Sequence, residues 1–168
     1  MKQPPVVFGR VVLALLGALE LALLAGCAGP TAPEGRPALI TQLNVMIAPA
    51  VLNLDVVPGP DGIGVKLHAF SPTSAKSVAI REGWLEFLVY DREGVLADPP
   101  RPFHQWSYEA GQLEGHRSEA AVGFVYDFLL SWIPKTLASS RIAVVARYHP
   151  SQGPTVTSTP AAITTGNQ

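Results

Sequence analysis

Apolar positions along the chain follow two regimes. Residues 11–24 read VVLALLGALELALL, nearly unbroken hydrocarbon interrupted by Gly17 and Glu20 and preceded by the cations Lys2 and Arg10. A charged start followed by an apolar run of about 15 residues is the pattern of a secretory signal peptide, too short to span a bilayer comfortably. The pattern predicts a helical signal peptide over 1–26. Glu20 opposes insertion, because a charge at a helix centre costs about 2.5–3.5 kcal/mol.

Beyond residue 38 the period changes to two, which predicts strands with one buried face. Ile63, Val65, Leu67 and Ala69 alternate with Gly64, Lys66, His68 and Phe70. Phe124, Tyr126, Phe128, Leu130 and Trp132 share one face of the longest pattern. Ile142, Val144, Ala146 and Tyr148 share one face of another. Residues 84–91 are apolar on both faces except Glu86, as expected for a central strand. Residues 39–48 and 51–57 supply two more candidates separated by Pro49, which suits a sheet edge. Residues 155–158 supply a last one. Pro58-Gly59-Pro60-Asp61-Gly62 and Asp91-Arg92-Glu93-Gly94 read as turns. One short helix is expected over 107–114, with Ser107 as N-cap. The expected fold is therefore all-β: an antiparallel immunoglobulin-like β-sandwich of about seven strands with a short loop helix, spanning 39–160. Residues 27–38 form a Pro- and Gly-rich linker, and 161–168 are expected to be a flexible C-terminal tail.

Composition narrows the function classes. The formal net charge of −1, from 12 basic and 13 acidic residues, leaves no basic excess for phosphates, so nucleic acid is not an expected partner. A single cysteine excludes an internal disulfide and a multi-cysteine zinc site. "Immunoglobulin-like" thus refers to architecture alone.

That one cysteine ends the run Leu24-Ala25-Gly26-Cys27, which resembles the lipobox of bacterial lipoproteins: an aliphatic residue, two small residues and the cysteine to be modified. The resemblance implies that signal peptidase II reads Leu24, Ala25 and Gly26 and cuts before Cys27. Cys27 would carry a diacylglyceryl thioether, with a further acyl chain on its new amino terminus. Two or three acyl chains anchor stably where one does not, since each buried CH₂ adds about 0.8 kcal/mol. Ala28, not an acidic residue, follows the cysteine, which in lipoproteins implies the outer membrane, facing the periplasm. A second resemblance rests on Asp61-Gly62-Ile63-Gly64-Val65, on Val78 to Gly83 followed by Trp84-Leu85-Glu86-Phe87-Leu88-Val89-Tyr90-Asp91, and on Trp106 and Tyr126. It is to a group of uncharacterised small lipoproteins with one β domain, covers about half of the chain after Cys27, and implies no activity.

Candidate chemistry is sparse. His68, His104, His116 and His149 are the neutral-pH acid-base groups, and no two stand at a metal-ligating spacing. No metal site and no cofactor is expected, and His68 and His149 read as solvated. Ser107, His104 and Asp127 contain the residue types of a hydrolytic triad but lack a nucleophile elbow. Phe103-His104-Gln105-Trp106-Ser107-Tyr108 is the most promising cluster: Phe103, His104, Trp106 and Tyr108 on a loop would offer contact area at low entropic cost. Against this stands a role for Trp106 as a plug at the open end of the sandwich. Trp84 and Trp132 are expected in the core. The sequence thus predicts a lipid-anchored envelope protein that is not an enzyme and that binds a protein partner. The alternative is a glycan- or cell-wall-binding module using the aromatic loop, and a hydrolase is the weakest reading.

Overall fold

The computed structural model describes residues 37–133, 137 and 139–164. The expected signal peptide, the residues Leu24, Ala25, Gly26 and Cys27, most of the linker and residues 165–168 lie outside the described residues. Among the described residues there are nine strands: β1 (Gln42–Leu52), β2 (Gly62–Phe70), β3 (Trp84–Tyr90), β4 (His104–Glu109), β5 (Arg117–Ala120), β6 (Gly123–Ser131), β7 (Arg141–His149), β8 (Val156–Thr157) and β9 (Ala161–Thr164). Two short helices, α1 (Arg92–Leu96) and α2 (Ala110–Leu113), sit in connections. The strands form two antiparallel sheets, β1-β2-β6-β5 and β4-β3-β7-β8, with β9 also pairing β7. The architecture is an all-β sandwich.

The period-two pattern is what closes it. Ile63, Val65 and Leu67 of β2 and Tyr126, Phe128 and Leu130 of β6 point inward, against Leu85, Phe87 and Val89 of β3 and Ile142, Val144 and Ala146 of β7. Each buried Val, Leu, Ile and Phe among them contributes about 1.5–3 kcal/mol through loss of apolar contact with water. Trp132 is fully buried at the end of β6, and its indole N–H donates to the Pro60 carbonyl at 2.9 Å. The segment between β2 and β3 crosses from one sheet to the other. It is held by Ser77, whose hydroxyl donates to the Val122 and Phe124 carbonyls, and by the Ile80 N–H, which donates to the Tyr126 hydroxyl at 2.7 Å.

Several boundaries differ from expectation, each for a local reason. The two patterns flanking Pro49 form one edge strand, β1, whose register shifts between Ile47 and Val51, so the proline sits where no ladder donor is required. Residues 104–109 are a strand: His104, Trp106 and Tyr108 alternate with Gln105, Ser107 and Glu109, and over 107–109 the ladder to β3 outcompetes the helix expected from Ser107. Helix α2 therefore starts at Ala110, with the Glu109 N–H donating to Gln112 Oε1 at 2.8 Å. Residues 161–164, expected in a flexible tail, pair with 141–144 as β9. The last edge of that sheet is thus made of two short strands separated at Pro160, with Ser158 bonded to the Ala146 backbone through both its N–H and its hydroxyl.

Candidate functional site

The four aromatic-cluster residues lie along the seam where the edge strand β4 meets the opposite sheet. Strand parity turns His104, Trp106 and Tyr108 inward, in register with Val89, Phe87 and Leu85. Trp106 is half-buried, its indole N–H donates to the Ser131 carbonyl at 3.2 Å, and His104 meets its ring edge-on at 4.5 Å. Tyr108 is also half-buried, packed on Phe128 at 4.9 Å and on His116 at 5.3 Å. Phe103 closes the seam against Trp132 at 6.2 Å. His116 stacks on Phe128 at 4.5 Å, with its Nδ1 3.0 Å from the Asp127 carbonyl. Burial raises the Tyr108 pKa above the usual phenol value. Apart from the His116–Phe128 stack the rings meet edge-on or tilted, and they face the core, so they join the sheets as a plug and do not form a flat platform toward solvent.

The residue types of a triad are not brought together. Ser107 lies on the outer side of β4 and His104 on the inner side, while Asp127 lies on the outer face of the other sheet, ion-paired with Lys66. Among the described residues no group of three His, Cys, Asp or Glu side chains is placed to hold a metal. Asp61 is buried and accepts the Leu54 N–H at 2.6 Å and the Asp55 N–H at 3.1 Å, so its carboxylate organises the β1–β2 loop. Gly83, another position of the lipoprotein-like pattern, has φ +71° and a backbone packed against the His149 carbonyl. The motif residues Asp61, Ile63, Gly83 and Phe87 thus have structural work to do.

A polar cluster not singled out by sequence occupies the outer face of the second sheet. Because Leu85 and Phe87 point inward, Trp84 and Glu86 must point outward, which corrects the expectation of Trp84 in the core. Trp84 stacks on its cross-strand partner His149 with centroids 3.8 Å apart and planes within 3°. His149 is therefore half-buried, not freely solvated, with Nδ1 3.1 Å from Thr155 Oγ1 and Nε2 3.6 Å from Glu86 Oε2. Arg147 approaches the same carboxylate at 3.9 Å. His68 is likewise half-buried, stacked against Phe70 at 6.2 Å.

Among the described residues, no helix is long and apolar enough to cross a membrane. Comparisons with protein-family models, curated proteins and solved structures return no match.

Proposed function

We propose that this chain is a lipid-anchored protein of the bacterial cell envelope whose sandwich serves a binding or structural role toward a protein partner, without a catalytic step. The observation that carries the reading is Leu24-Ala25-Gly26-Cys27, placed directly after the apolar run and directly before a Pro-rich tether. The reading places the protein on the outer membrane, facing the periplasm, because Ala28 follows the lipidated cysteine. The inward orientation of Trp106 and Tyr108 supports a protein partner over a glycan, since stacking on sugar rings needs exposed aromatic faces.

Fractionation of cells producing the wild type and Cys27→Ala tests the anchor. The wild type is expected in the membrane fraction, released by detergent, and at outer-membrane density on a gradient. The variant is expected to lose its acyl chains and with them the stable membrane association. A Cys27→Ala protein recovered in the membrane fraction at the wild-type level contradicts the proposal.

A further inference from the structure

The outer face of the β1-β2-β6-β5 sheet pairs opposite features across its two central strands. Gly64 of β2 stands opposite Leu129 of β6, and Lys66 stands opposite Asp127. Leu129 is 57% exposed, a large apolar side chain standing clear of the sheet. Its partner Gly64 has no side chain, and a Cβ there would meet the Ala48 Cβ at 3.2 Å, so the floor beside Leu129 is built of two small residues. One row along, Lys66 and Asp127 form an ion pair with both side chains about half exposed. Met46, opposite Lys66 on β1, extends the exposed apolar surface. A knob beside a hollow and a cation beside an anion therefore straddle one line, the line midway between β2 and β6.

A two-fold axis laid along that line places each β2 position over the β6 position of the same row in the facing copy. Leu129 of each copy then enters the Gly64–Ala48 hollow of the other. Lys66 of each copy faces Asp127 of the other. Every contact is made twice, as an isologous interface requires. The strand directions of the facing sheets stay nearly aligned, which is how sheets stack at about 10 Å. A different protein would need to match this arrangement in shape and charge, whereas the chain already matches itself. We propose that this face is a two-fold self-association surface and that its occupant is a second copy of this chain.

The proposal rests on the partner-binding role put forward above and names the partner, but it does not depend on acylation of Cys27. Four strands about 4.8 Å apart and about seven residues long offer roughly 450 Å², below the roughly 800 Å² per partner of a stable complex. The dimer is therefore weak in dilute solution and favoured where copies are confined to one surface.

Sedimentation equilibrium of the full-length chain in density-matched detergent tests it, using Lys66→Asp and Asp127→Lys variants alone and mixed. The wild type is expected to show a monomer–dimer equilibrium. Each single swap sets like charges opposite one another at both contacts and raises the dissociation constant at least about tenfold. An equimolar mixture of the two variants restores dimers, because every carboxylate then faces an ammonium group. Both positions are exposed and an ion pair so placed adds little to stability, so thermal melting should show the variants folded. Should either melt early, Leu129→Glu reads the same interface and is expected to be monomeric. A wild type that stays monomeric, swaps that leave association unchanged, or a mixture that fails to restore dimers overturns self-association. Membrane fractionation reads the anchor separately, so a monomeric but membrane-bound wild type refutes this inference alone.

Discussion

Replacing Tyr126 with Phe removes the hydrogen bond that joins the crossing segment to β6, together with a lesser contact of the same hydroxyl to Arg117. Tyr126 is fully buried on β6, and its hydroxyl accepts the N–H of Ile80, itself fully buried in the segment that crosses between the sheets. Tyr126→Phe keeps the ring and its packing but leaves the Ile80 N–H without that acceptor. A buried donor left unsatisfied costs about 1–3 kcal/mol, and the short 2.7 Å distance places this one near 2 kcal/mol. For a domain of this size, about 3–6 °C of melting temperature is lost per kcal/mol, giving a drop of roughly 6–12 °C. Tyr148→Phe is the internal control. Its hydroxyl donates to the Glu82 carbonyl at 3.1 Å, so the substitution removes a donor and leaves only a carbonyl short of one partner, for about 1 kcal/mol or less. Urea and thermal unfolding, followed by tryptophan fluorescence, measure both. A Tyr126→Phe cost below about 0.5 kcal/mol, or one equal to that of Tyr148→Phe, would refute the argument that this bond ties the crossing segment to β6.

Two further perturbations have signs fixed by the structure. Gly83→Ala should destabilise by more than about 2 kcal/mol, because φ is +71° and the new Cβ would lie 2.1 Å from the His149 carbonyl oxygen. Gly111→Ala in α2 meets nothing within 4 Å and should be neutral or stabilising by about 0.4–1 kcal/mol, so equal effects in urea unfolding contradict this account. Burial, reinforced by the charge of Glu82 and then by Tyr126, pushes the Tyr148 pKa up to about 12, whereas an unfolded tyrosine ionises near 10. The unfolded chain thus releases this proton first as pH rises. Stability is full below about pH 10 and falls by on the order of 2 kcal/mol between about pH 10 and 12. Phenolate absorbance followed alongside circular dichroism checks this, and ionisation of every tyrosine near pH 10 in the folded protein would contradict it.

The parts of the fold legible in the sequence were those where alternation was strict and long. Ile63, Val65 and Leu67, and Tyr126, Phe128 and Leu130, face the core as their spacing requires. Residues 104–109 alternate just as strictly, but Ser107 also reads as the N-cap of a short helix over 107–114, and the ladder to β3 prevailed. Trp84 shows a different limit. In a strand apolar on both faces, hydrophobicity does not say which face meets the other sheet, and only the inward packing of Leu85 and Phe87 sends Trp84 outward onto His149. β9 was illegible because Ala161-Ala162-Ile163-Thr164 is short and weakly apolar, and it becomes a strand by completing the edge of β7. The aromatic seam was legible as a cluster but not as inward-facing, because orientation depends on the register of β4. The self-complementary face of β2 and β6 has no signature in either strand alone, since it arises from which residues the register sets opposite one another.

Mass spectrometry of the N-terminal peptide purified from membranes tests whether Cys27 is the lipidated first residue of the mature protein. The expected peptide begins at Cys27 and carries a diacylglyceryl thioether, with an acylated amino terminus and no residue from 1–26. A peptide that retains residues before Cys27, or one in which Cys27 is an unmodified thiol, would contradict it.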